Sequence, residues 1–189
     1  FERLRLTLGQ RFYFSDQTVT LPGQPVRESS ATDLLLAASG QVSRAWRLDS
    51  LLQIDTERGR TVRRNLSASY RPQPGHTLNF GYRYIDQSTE QLDLSAQWPL
   101  SGRWYGMFRT NYSLRDDKLV EGVAGLEYHA GCWSARGAVQ RIATLENQST
   151  DAFFIQLELN GLGSFGSNPL DVLKYSIPGF QTRNELSPP

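Results

Sequence analysis

The sequence has little of what usually gives a function away. Its 189 residues hold one cysteine, Cys132, and two histidines, His76 and His129. A lone cysteine excludes an internal disulfide and any multi-cysteine metal site. In an exported protein an odd cysteine points to a partner elsewhere; the plainer alternative is a half-buried thiol packing as a small hydrophobe. Both histidines fall at predicted turns, so no base can be placed beside a nucleophile and no enzyme is expected. No glycine-rich loop follows a strand and opens a helix, which leaves Gly161 to Gly166 (GLGSFG) as a strand exit rather than a phosphate cradle. Neither a cofactor nor a metal is implied.

Long apolar runs and charge of one sign are missing as well. A membrane helix needs about 20 consecutive apolar residues, and the most apolar stretch here, Leu34 to Ala38, is only LLLAA. The formal net charge is +1 and the arginines are scattered singly, so the clustered basic face of a nucleic-acid binder is not expected. Phe1 opens on no charged region followed by an apolar one, so no signal peptide is read, and localisation has to be argued from the strands. A membrane barrel strand escapes hydropathy tests altogether, because only every second residue faces lipid.

What the sequence does have is period-two alternation along nearly its whole length, the mark of strands with two unlike faces. In a first candidate strand, about 2 to 14, Leu4, Leu6, Leu8, Phe12 and Phe14 oppose Arg3, Arg5 and Arg11. In a second, about 32 to 43, Leu34, Leu36, Ala38 and Val42 oppose Ser39, Gln41 and Ser43. Next, Trp46, Leu48, Leu52 and Ile54 oppose Arg47, Asp49, Gln53 and Asp55, and Val62, Leu66, Ala68 and Tyr70 oppose Arg63, Asn65, Ser67 and Ser69. Leu78, Phe80, Tyr82 and Tyr84 oppose Thr77, Asn79 and Arg83; Leu92, Leu94, Ala96 and Trp98 oppose Gln91, Asp93, Ser95 and Gln97. Trp104, Phe108, Tyr112 and Leu114 oppose Arg103, Arg109 and Asn111, and Val120, Ala124, Leu126 and Tyr128 oppose Glu121 and Glu127. Trp133, Ala135 and Val139 mark a weaker ninth strand. Phe153, Ile155, Leu157 and Leu159 mark a clear tenth against Gln156, Glu158 and Asn160.

Strands of about ten residues exceed the globular mode of about 5 to 6 and match the length that crosses a bilayer at a tilt. The expected fold is therefore all-β: an antiparallel transmembrane β-barrel with about ten strands in residues 1–160, then a short irregular tail in 161–189. A polar loop over 15 to 31, taken as outward, sends the turns near 57–60, 86–89, 115–118 and 143–149 to the same side. The turns near 43–45, 71–75, 99–102 and 129–131 then lie on the periplasmic side, and Trp46, Tyr70, Trp98, Trp104, Tyr128 and Trp133 all fall beside them. Rings with a polar edge prefer membrane interfaces, so these six read as an aromatic girdle. A soluble β-sandwich has no reason to sort its tryptophans by strand end. In the tail, Asn168 and Pro169 read as a helix start, with a turn or two through Asp171 to Ser176 before Pro178 and Gly179 end it.

Several runs carry a resemblance: Tyr128 to Arg141 (YHAGCWSARGAVQR), Phe153 to Gly163 (FFIQLELNGLG), Asn168 to Phe180 (NPLDVLKYSIPGF) and, near the start, Gly9 to Asp16 (GQRFYFSD). Together they resemble the C-terminal part of the LPS-assembly outer-membrane family LptD. The resemblance implies a barrel of about two dozen strands, of which these would be the last. It also implies an upstream periplasmic domain joined to the periplasmic transport bridge, and a lipoprotein, LptE, standing in the lumen. The implied activity is delivery of lipopolysaccharide to the outer leaflet, from an outer-membrane barrel whose C-terminus is periplasmic. The family joins the periplasmic end of its barrel to the N-terminal domain by disulfides, often through adjacent cysteines; here Gly131 stands beside Cys132, so one such bond is implied, to an undetermined partner.

The resemblance further implies a lateral gate, a seam between first and last barrel strands that parts to let acyl chains into the surrounding lipid. Phe153 to Asn160 would be the last strand, with Phe153, Ile155, Leu157 and Leu159 toward lipid and Gln156 and Glu158 toward the lumen. Each of these is equally an ordinary alternating residue. A porin or receptor barrel is the alternative, with Arg3, Arg47, Arg63, Arg83 and Arg109 lining a pore, although Asp49, Asp55, Asp93, Glu121 and Glu127 would make that lumen mixed in sign.

Overall fold

The computed structural model describes residues 3–14, 31–144, 148–159 and 162–182. In chain order the elements are β1 (Leu4–Gly9), β2 (Leu34–Gln41), β3 (Trp46–Asp55), β4 (Arg60–Tyr70), β5 (Thr77–Ile85), β6 (Thr89–Ser101), β7 (Trp104–Ser113), β8 (Lys118–His129), β9 (Trp133–Ala143), β10 (Ser149–Leu159), β11 (Gly163–Gly166) and a helix, α1 (Leu170–Ser176). All eleven strands form one antiparallel sheet in strict sequence order, and the sheet is open, its two ends being β1 and β11. No helix among the described residues is long and apolar enough to cross a membrane, which says nothing about crossing by strands. Most of the loop expected over 15 to 31 lies outside the described residues, as do Asn160 and Gly161.

Register turns the alternation into two unlike faces. Leu48, Ala68, Phe80, Leu94 and Thr110 follow one another across β3 to β7, while one residue along, Asp49, Ser67, Gly81, Asp93, Asn111 and Glu121 make the matching row on the other side. Because side chains alternate, this register sets a mainly apolar face against a mainly polar one, with Arg64 and Glu90 among the exceptions on the apolar side. The apolar face carries much of its large side-chain surface exposed, including Leu48, Leu66, Phe108, Leu126, Phe153 and Ile155.

The structure departs from the sequence reading in four places. The first strand ends at Gly9 and Phe12 makes only an isolated bridge to Ala31, so the extended pairing expected to residue 14 is not continuous. Val62 and Val120 have no register partner on β3 and β7 respectively. Pairing passes from Gln53 with Arg63 to Ile54 with Thr61, and from Asn111 with Glu121 to Tyr112 with Leu119. A bulge takes up each valine and hands its register to the residue before it. The run Gly161 to Gly166 is not wholly a strand exit, since Gly163–Gly166 returns as β11 and pairs antiparallel with β10. Among the described residues there are accordingly eleven strands, and the one running from Phe153 is not the last of them.

The fourth concerns the tail, whose described residues 162–182 add a strand and then dock on the sheet, beyond the turn or two of helix expected there. Asn168 Oδ1 accepts the Leu170 N–H at 3.1 Å, Pro169 stands at the N-cap, and the helix ends before Pro178 and Gly179 (φ 84°). α1 lies on the polar face, where Leu173, Ile177 and Phe180 pack against Met107, Val123 and Ala138, with Phe154, Leu170 and Val172 around them. Leu173 and Ile177 are wholly buried. This is the only buried apolar cluster among the described residues. The sheet's hydrophobic core thus sits on its polar side, and the tail makes it.

Candidate functional site: the closing edge and the polar face

Beyond the helix the tail runs back across the polar face along the Trp-bearing ends of the strands. Arg71 Nη2 and Asn79 Nδ2 donate to the Pro178 carbonyl at 3.1 and 3.0 Å, and Thr77 Oγ1 donates to Gly179 O at 3.3 Å. Gln97 exchanges two bonds with the Gln181 main chain, donating to its carbonyl at 2.7 Å and accepting its N–H at 3.0 Å. The side chain of buried Gln97 therefore acts as a strand backbone would. Glycine is favoured at 179 by its φ of 84°, and a Cβ there would also push the Arg71 guanidinium aside. One segment after β10 thus ties β4, β5 and β6 to β7 through β10.

Beside α1 lies a buried ionic cluster. Arg136 of β9 donates through Nε to Glu127 of β8 at 2.9 Å and through Nη1 to Gln156 and Glu158 of β10. Its side chain is wholly shielded from solvent. Buried charges are retained only when paired and hydrogen-bonded, and the two flanking strands, β8 and β10, supply the partners. Gln156 and Glu158 were legible as polar-face residues; Arg136 has no local signal in the sequence and becomes visible only once the three strands are in register.

Farther along the polar face, a concavity of about 440 Å³ is lined by Ser39, Asp49, Asn65, Arg83, Asp93, Arg109 and Asn111, among others. Arg109 bridges Asp93 at 2.7 Å and Glu121 at 3.1 Å. Its charge is locally neutralised, so this surface is polar and mixed in sign.

The aromatic residues singled out in the sequence gather at one end of the sheet. Trp46 and Tyr70 are register partners with ring centroids 4.7 Å apart; Trp104 and Tyr128 are partners at 4.8 Å; and Trp133 meets Tyr128 at 5.3 Å. Trp98 at the same end packs against His76 instead, edge-on at 4.8 Å. Cys132 sits in the β8–β9 turn at that end, exposed and following Gly131 at φ 87°.

The edge of the sheet is made by β10 and β11. Gln156, Leu157, Glu158 and Leu159 pair with Gly166, Phe165, Ser164 and Gly163. Phe153 and Ile155 are about three-quarters exposed on the apolar face, and Leu157 less so. Along Ser149 to Phe154 no described strand pairs with β10 on the side away from β9. What the site offers chemically is therefore a strand with a partly open hydrogen-bonding edge, lined by apolar side chains on one face and by a sealed ionic cluster on the other.

Comparison with known proteins fits this arrangement. Residues 1–104 match the family model described as LptD, LPS transport system D. The LPS-assembly protein LptD of Thiobacillus denitrificans is 64% identical over 187 residues, which is 99% of this chain and 26% of that protein. Proteins of the same name from Aromatoleum aromaticum and Bordetella avium are 47% and 36% identical over 97% and 100% of this chain. The chain spans about a quarter of the length of the curated relatives it matches. The chain belongs to the LptD family, and its eleven-stranded open sheet is part of a larger barrel of that family.

Proposed function

We propose that this chain is the closing portion of an outer-membrane barrel that delivers lipopolysaccharide to the outer leaflet through a seam between its own edge and the first strand of the whole barrel. The observation that carries the reading is the edge at β10, where an exposed apolar row, Phe153 and Ile155, borders an unpaired stretch of backbone and backs onto a polar concave face. Acyl chains leaving sideways would meet only hydrocarbon and aliphatic side chains, while a sugar headgroup stays beside Asp93, Arg109 and Asn111. In this reading the apolar face meets outer-membrane lipid, the polar face is the lumen where the lipoprotein LptE stands, and the aromatic end with the C-terminus is periplasmic. Cys132, exposed at that end, forms a disulfide to the upstream domain that receives lipid from the periplasmic bridge. The pairing of Arg109 with both Asp93 and Glu121 leaves no ring of one sign, so nothing favours a selective porin.

The test uses the full-length protein in its own membrane. A cysteine replacing Phe153, bridged to one on the first barrel strand, is expected to stop delivery of lipopolysaccharide to the cell surface without preventing assembly. Phe153→Cys bridged to Val139→Cys, its register partner on β9, is expected to be harmless because that pair never separates. Surface delivery at the normal rate through a seam-bridged barrel defeats the gate reading.

A further inference from the structure

The outer edge of β10 is divided into two unlike halves, and the division is built from the chain's own tail. Over Gln156–Leu159 the edge is occupied by β11. At Ile155 it is occupied by a side chain: the Ser167 hydroxyl accepts the Ile155 N–H at 2.9 Å and donates back to the Ile155 carbonyl at 3.3 Å. Ser167 thus supplies what a partner strand would supply, one residue beyond the end of β11. From Ser149 to Phe154 the edge carries no such occupant among the described residues.

We propose that β11 and Ser167 form a resident cap on the periplasmic half of the closing edge, so that the first strand of the whole barrel hydrogen-bonds to β10 only along Ser149–Phe154. The inference rests on the reading of β10 as one side of the seam, and it places any parting of that seam in the half nearer the outer leaflet.

Three features hold the cap in place. Gly166 has φ 102°, and a Cβ there would collide with the Ile155 carbonyl, so the close approach of the two backbones depends on glycine. On one side β11 is joined to β10 by a very short connection, the Leu162 N–H donating to the Leu159 carbonyl at 3.0 Å. On the other side Ser167 leads directly into α1, whose Leu173 and Ile177 are buried against the polar face. A competing strand must therefore displace a segment tethered at both ends, whose effective concentration at the edge is very high. β11 is itself a poor template for that competitor. It is four residues long and begins and ends on glycines at φ 143° and 102°, features that twist an edge away from further pairing.

The experiment reads the cap in the full-length barrel. In Leu157→Cys with Phe165→Cys, two register partners on the apolar face are replaced, at a spacing a disulfide can span. In the oxidising envelope this pair is expected to oxidise in nearly all assembled barrel, with assembly and surface lipopolysaccharide unchanged. Residues 142–174 leave trypsin as one peptide, because no lysine or arginine lies between Arg141 and Lys174. The bridge therefore reads as that peptide lighter by the two thiol hydrogens. Two free thiols in the assembled barrel overturn the proposal, and so does a bridged protein that fails to assemble when Leu157→Ser with Phe165→Ser assembles.

Hydrogen exchange on the unsubstituted protein gives an independent reading. The amides of Phe165 and its register partner Leu157, which has the parity of the Ile155 N–H bonded by Ser167, are expected to exchange slowly, and exchange of both at the rate of a free loop overturns the cap. If the cap is present but the bridge from Phe153→Cys to the first strand leaves export untouched, the gate reading fails and the cap stands.

Discussion

The guanidinium of Arg136 on β9 donates to the Glu127 carboxylate on β8 at 2.9 Å with both side chains closed off from solvent. Removing one partner of such a pair leaves a buried charge uncompensated. Because Glu158 still faces Arg136, Glu127→Ala is expected at the low end of the usual range, a loss of about 3 kcal/mol. Arg136→Lys should not substitute, since one ammonium cannot reach partners on both β8 and β10 as the fork does. Replacing Arg136 with Met while turning both glutamates to Gln should recover most of the loss. The check is the urea midpoint of the full-length barrel in detergent; a midpoint unmoved by Glu127→Ala would mean that water reaches the cluster.

The tail gives a sharper contrast because one turn of α1 presents both extremes. Leu173 is wholly buried, close to Gly125, where an added Cβ would lie 3.5 Å from Leu173 Cδ2, while Tyr175 is largely exposed. Leu173→Ala is expected to destabilise the docked tail by about 2 to 5 kcal/mol, the usual range for a large-to-small change in a core. Tyr175→Ala is expected to stay within about 0.5 kcal/mol. Limited trypsin digestion at Lys174 reads the difference directly: the first variant should be cut far faster than the second, and equal rates would show that α1 is not held by Leu173.

How much of this was legible in the sequence depended on whether a feature was local. Strand faces, turn positions, the aromatic end and the exposed row at Phe153, Ile155 and Leu157 follow from alternation alone and appear where alternation puts them. The bulges at Val62 and Val120 do not, because a valine in a strand looks the same whether or not its register is skipped. The core under α1 was hidden for a different reason. Met107, Val123, Ala138 and Phe154 occupy polar-face positions, and each lies beside an apolar-face neighbour: Phe108, Ala124, Val139 and Phe153. Phe108, Ala124, Val139 and Phe153 share one register row, and an apolar residue beside each of them on the polar face, in four consecutive strands, is the trace that a tail covers that spot. β11 was missed because a glycine-rich run carries no alternation to read.

Cys132 is exposed, and no second cysteine exists in this chain. If it bridges to the upstream domain, the native full-length protein should resist alkylation at Cys132 until it is reduced, and reduction should change its gel mobility. Cys132→Ser should leave the sheet folded but abolish that shift. A thiol that alkylates freely in the unreduced native protein refutes the disulfide.

The orientation of the two faces can be tested with adjacent residues of one strand. Leu66 and Ser67 both lie in the middle of β4, paired with Tyr82 and Gly81 on β5, and both are exposed, Leu66 on the apolar face and Ser67 on the polar one. In water an arginine at either exposed position would cost little, because neither displaces a buried side chain. In a bilayer the two differ. Arginine on the lipid-facing side of a barrel costs about 2 to 4 kcal/mol at the midplane, falling toward the interfaces, while a lumenal arginine meets water and polar groups. Leu66→Arg is therefore expected to lower the stability of the barrel by about that amount in lipid vesicles and Ser67→Arg to lower it by much less. Ser67 lines the polar concavity together with Asp49 and Asp93, carboxylates that favour a nearby positive charge. Comparable losses for the two variants, or a larger loss for Ser67→Arg, would mean that the apolar face is covered by protein rather than by lipid.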